Sequence, residues 1–130
     1  YLINHGINFD PMVTASEEYN LFIRLLAKGR GLSIKNIIGA YRVSENSLTN
    51  RQISEWENER VYTLEQVQEE NPGIYTRYKK DFDEAFCRSK YYRARYLMSI
   101  GEKWLANDVM RRISTKNMKY FILYLLTFII

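Results

Sequence analysis

The spacing of apolar residues changes character along this chain. Between Ser16 and Gly29, Leu21, Phe22, Leu25 and Leu26 follow helical spacing, which predicts an amphipathic helix with one buried face. Asp10-Pro11 starts a turn before it, since proline biases the residue ahead of it away from helix. Ser16 is a natural N-cap, and Thr14 with Glu17 makes an alternative capping box. Lys28-Gly29 supplies a basic last turn and a glycine stop. The pattern then turns extended. Ile34, Asn36 and Ile38 alternate with Lys35 and Ile37, so Leu32 to Val43 reads as strand, with Gly39 as a bulge or kink.

After Thr49 the helical period returns. Residues 50–70 hold no Gly or Pro and place Ile53, Trp56, Leu64 and Val67 along one face. Asn71-Pro72-Gly73 breaks that helix. Residues 74–100 are helical again, with Tyr75, Tyr78, Phe82, Ala85 and Phe86 on one side. Gly101 is the next break, and residues 102–114 form a further helix with Trp104, Leu105, Val109 and Ile113. Ala94, Gly101 and Ala106 put small residues where these two helices cross, as in a single tetratricopeptide-type hairpin. One such unit is not an array, which needs about three. Residues 118–130 are nearly all apolar but fall short of the roughly 20 residues of a membrane span. They read as a packed terminal helix, an interfacial helix or the first part of a longer span. The order of helix, strand and polar loop, then helices, predicts an α/β unit over residues 1–49. A region of antiparallel helices follows over 50–130.

Composition sharpens this outline. A chain of 130 residues, 46% hydrophobic, makes one domain or one piece of a larger one and is not disordered throughout. It starts without Met, inside Tyr1-Leu2-Ile3, and ends inside an apolar run, as expected of a piece of a longer protein. The single Cys87 rules out an internal disulfide, fits a reducing compartment and reads as a small buried hydrophobe. His5 is the only histidine, so a zinc site built from this chain alone is not expected. The net charge of +4 is unevenly spread: residues 88–130 hold nine basic residues and two acidic ones. A basic segment leading into an apolar one suits the surface of an anionic membrane. Nucleic acid is not expected as a partner, because no helix-turn-helix or other reading motif is present.

The stretch with candidate chemistry is Phe9-Asp10-Pro11 followed by Ala15-Ser16-Glu17-Glu18-Tyr19-Asn20-Leu21-Phe22-Ile23-Arg24-Leu25. Ala40-Tyr41-Arg42-Val43-Ser44-Glu45-Asn46-Ser47-Leu48-Thr49 comes next. In this order the blocks resemble the C-terminal part of the catalytic domain of family 2 glycosyltransferases, the inverting GT-A enzymes. The similarity covers residues 1–49. It implies transfer of a sugar from a nucleotide-diphosphate donor to an acceptor hydroxyl with inversion, in cell-surface polysaccharide or glycolipid assembly. Glu18 would be the general base, placed to take the acceptor proton. Glu17, Arg42, Asn46 and Ser47 would contact substrate, with Arg42 suited to phosphate oxygens. The chain departs from the family in carrying Glu18 rather than Asp at the base position, and Ser44 where His is frequent. The resemblance also implies a divalent metal, Mg or Mn, in the complete enzyme, held mostly by residues outside this chain. Its partners would be the nucleotide sugar and a glycan or lipid-linked acceptor, at the cytoplasmic face of the cell membrane. The contrasting expectation is a non-catalytic, tetratricopeptide-like helical module that binds other proteins.

Overall fold

The computed structural model describes residues 6–40 and 52–128. Among these the regular structure is helical throughout: α1 (Glu17–Lys28), α2 (Trp56–Glu70), α3 (Ile74–Arg77), α4 (Lys79–Ser99), α5 (Lys103–Ser114) and α6 (Met118–Leu126). No strand occurs among the described residues. This overturns the α/β expectation, and with it the resemblance to GT-A glycosyltransferases and the enzymatic reading. A nucleotide-sugar transferase of that class needs a sheet to carry its donor site. Residues 30–40 show why the residue types misled. Their β-branched side chains find no neighbouring strand, and an isolated strand leaves its backbone groups unpaired. Leu32, Ile34, Ile37 and Ile38 stand exposed. The remainder of the predicted strand, from Tyr41, lies outside the described residues.

The helices after residue 52 sit where the period put them, and their breaks have a local cause. Ile74 N–H bonds to Asn71 C=O at 3.1 Å, closing a turn with Pro72 second and Gly73 third. Gly73 has φ 86°, ψ −6°, the left-handed geometry that the third position of a type II turn requires. At the end of α4, Gly101 N–H bonds to Met98 C=O and Glu102 N–H to Leu97 C=O. That double bond with Gly101 at φ 83° is a Schellman stop.

The long helix α4 is the spine. Its first half packs with α2 around Leu64, Val67 and Phe82, with Ile23 and Ala27 of α1 against them. Its second half packs with α5 and α6 around Ala94, Leu97, Ala106, Met110, Ile113 and Tyr120. Ala94 and Ala106 are buried at the crossing of α4 and α5, as the small residues predicted. Cys87 is buried in the same core, and burial raises its thiol above the usual value. Tyr120 is fully buried, and its hydroxyl donates to Glu84 Oε1 at 2.8 Å. Trp104 departs from the expected pattern: it is 78% exposed rather than in the core.

Candidate interaction site

The helix α1 joins the bundle through polar contacts. Along α2 the residues Glu59, Thr63, Gln66 and Glu70 recur at helical spacing and face α1. Asn20 Nδ2 donates to Thr63 Oγ1 at 3.1 Å and to Gln66 Oε1 at 2.8 Å. Arg24 donates from Nε to Glu70 Oε1 at 2.9 Å, and its Nη2 lies 2.8 Å from the same oxygen. Arg24 Nη1 also reaches Asn8 C=O at 3.1 Å. Asp10 accepts from Tyr62 and from Gln66 Nε2 at 3.0 Å each. The N–H of Met12, above all, holds the Asp10 carboxyl below its usual range.

The start of α1 is held from across this seam. Ser16 occupies the N-cap position but makes no side-chain cap bond. Its hydroxyl instead donates to Glu59 Oε2 at 2.8 Å. Glu59 also accepts from Thr14 N–H at 2.7 Å, Thr14 Oγ1 at 3.1 Å and Ala15 N–H at 2.9 Å. Burial alone would push the Glu59 carboxyl up, but these four donors outweigh it and hold the pKa below the ordinary 4.5. Arg60, next along α2, closes the seam with an aromatic box. Its guanidinium carbon lies 4.3 Å from the Tyr19 ring centre, 4.8 Å from Tyr92 and 5.5 Å from Trp56. Trp56 and Tyr92 meet edge to face at 4.9 Å. The box ties α1, α2 and α4 together at one end of a groove.

That groove has a volume of about 830 Å³. Its floor is Leu64, Val67 and Phe82, and its walls include Ile23 and Leu26 from α1 and Ile74 from α3. Leu26 remains 51% exposed, so an apolar face of α1 stays open to solvent. Lys28, Arg30 and Arg77 stand at the rim, with Asp81 as the one acidic lining residue. Lys28 approaches Glu70 Oε2 at 3.9 Å. A second cleft of about 660 Å³, between α2 and the α4–α5 hairpin, is lined by charges of both signs. There Arg93 meets Glu57 at 3.4 Å and Arg112 meets Asp108 at 2.7 Å, so four of its charges pair within the fold.

Glu17 and Glu18 lie in the first turn of α1, Glu17 half-buried and Glu18 exposed. Carboxylates there favour the helix dipole without any chemistry. Arg42, Asn46 and Ser47 lie outside the described residues, as does His5. The described residues contain no group of three or more His, Cys, Asp or Glu side chains suited to a metal. Sequence reasoning missed Glu59, Arg60 and the groove. The only signal was the run of polar residues on α2 at the spacing of a buried face. Neither a family model, nor a curated protein, nor a solved structure matches this chain.

Proposed function

We propose that this chain is a helical protein-interaction module whose groove between α1 and α4 takes an amphipathic peptide helix with acidic flanks. The observation that carries this reading is a groove closed below by buried apolar residues, with an apolar wall left exposed at Leu26 under a mostly basic rim. Leu64 and Val67 form the floor, Leu26 presents a half-exposed wall, and Lys28, Arg30 and Arg77 face the mouth. An amphipathic helix laid in such a groove places residues at i, i+3, i+4 and i+7 against its apolar lining. Glutamates beside that stripe then meet the rim, and charge complementarity selects the acidic flank. The aromatic box around Arg60 keeps the groove preformed, which lowers the ordering cost of binding.

Two synthetic peptides test this reading. Both carry leucines at helical spacing, one with glutamate and the other with lysine at the flanking positions. The glutamate peptide is expected to shift the backbone amide resonances of α1, α3 and the start of α4. The lysine peptide is expected to bind about tenfold more weakly. Leu26→Glu, at an exposed position, removes binding without unfolding the chain. Equal binding of both peptides, or binding untouched by Leu26→Glu, overturns the reading.

A further inference from the structure

The last helix is apolar on two faces, and only one of them is used. Tyr120, Leu123, Tyr124 and Thr127 turn toward α4 and α5. The opposite face carries Met118 (76% exposed), Phe121, Ile122, Leu125 and Phe128. These recur at helical spacing and form a continuous apolar ridge. A folded helix with an apolar outer face has a second apolar medium to meet. Asn117 Oδ1 accepts from Lys119 N–H at 3.0 Å and caps the helix. No helix among the described residues is long and apolar enough to cross a membrane.

The surroundings of the ridge say which medium. Asn107 Nδ2 donates to Thr127 Oγ1 at 2.7 Å, so the end of α6 lies beside the first turns of α5. Trp104, one turn before Asn107, is therefore at the same end of the hairpin as Phe128. An exposed tryptophan with a polar N–H is suited to the boundary between hydrocarbon and water. Lys116 and Lys119 stand exposed at the other end of the ridge. Residues 88–130 hold nine basic residues and two acidic ones, and three of the nine, Lys90, Arg93 and Arg112, line the cleft toward α2 instead. Arg111, exposed on α5, shares Asp108 with Arg112, which lines the cleft toward α2. An exposed apolar ridge with Lys116 and Lys119 at one end and Trp104 at the other has the chemistry of an anionic lipid surface's partner.

We infer that α6, flanked by Trp104 and Lys119, docks on an anionic phospholipid surface with its Phe121–Leu125 ridge among the acyl chains. This surface is separate from the groove, and either can fail without the other. The test is flotation of the full chain with vesicles of phosphatidylcholine alone, and with vesicles holding a third phosphatidylglycerol. The chain is expected to float only with the anionic vesicles, with a blue shift in emission that Trp104→Phe removes. Phe121→Ser with Leu125→Ser, both exposed, is expected to cut binding about tenfold or more. Lys116→Glu with Lys119→Glu cuts it as added salt does. Helix content and thermal midpoint, measured for each variant, separate loss of binding from loss of fold. Failure to float, equal binding to both vesicle types, or binding unchanged in the serine variant overturns the inference. So does a concentration-dependent dimer in free solution that the serine variant dissolves, since the ridge would then belong to a second copy.

Discussion

The carboxylate of Glu59 holds a helix start that belongs to another part of the chain. Backbone N–H groups in the turn ahead of a helix get no partner from the helix itself. Here Thr14 and Ala15, just ahead of α1, give theirs to Glu59. Hydrogen bonds to a charged acceptor contribute more than neutral ones, and an unsatisfied buried donor is costly. Glu59→Gln keeps the shape but replaces one acceptor oxygen with a donor. It should destabilise the fold by about 2–4 kcal/mol in urea titration. The pH dependence has a definite sign. The folded carboxyl titrates below its unfolded value, so its contribution is complete above the ordinary 4.5. That contribution is lost as the pH falls through the folded value. The thermal midpoint of the wild type should therefore drop more steeply than that of Glu59→Gln on acidification below about pH 5. Parallel acid profiles would remove Glu59 as the holder of this turn.

At the scale of elements, α1 and α2 show what a sequence conveys and what it hides. The existence and limits of α1 were legible in Asp10-Pro11, Ser16 and Lys28-Gly29. Its buried face was legible at Leu21 alone. Asn20 and Arg24 are buried, whereas Phe22 and Leu26 are exposed. Periodicity assigns apolar residues to the core, but these polar residues are buried because Thr63, Gln66 and Glu70 meet them. Such partners lie more than forty residues away, and no local pattern reports them. A seam of this kind fixes register, because sliding α1 along α2 would strand each polar group. Removing one partner of a buried pair costs more than removing both. Arg24→Met should destabilise by about 2–3 kcal/mol, since it leaves Glu70 half-buried beside only Lys28. Arg24→Met with Glu70→Leu should recover more than half of that loss in the same denaturant titration. A double variant no more stable than the single one would show that Arg24 acts through Asn8 instead.

For the whole molecule the governing fact is that one helix serves two cores. The helix α4, about 31 Å long at the usual rise, gives Phe82 to one cluster and Ala94 and Leu97 to the other. The turns at Gly73 and Gly101, where the chain changes direction around this spine, were legible because glycine alone is at ease at their φ values. The apolar residues of 30–40 were not, because strand formation depends on a neighbour that residue type cannot reveal. Trp104 was misplaced for a related reason: helical spacing marks a face but does not say whether protein or another medium covers it. The two clusters share α4 but no buried residue, which predicts how damage spreads. Val67→Ala opens a small cavity in the first core and Ile113→Val in the second, each costing on the order of 1 kcal/mol. Substitutions without shared partners add to within about 0.5 kcal/mol. The double variant should therefore lose the sum of the two in equilibrium unfolding, with one transition retained because α4 couples the halves. A second transition would instead mark the halves as separately folding units. A sum missed by more than about 0.5 kcal/mol would show that strain in one core reaches the other along α4.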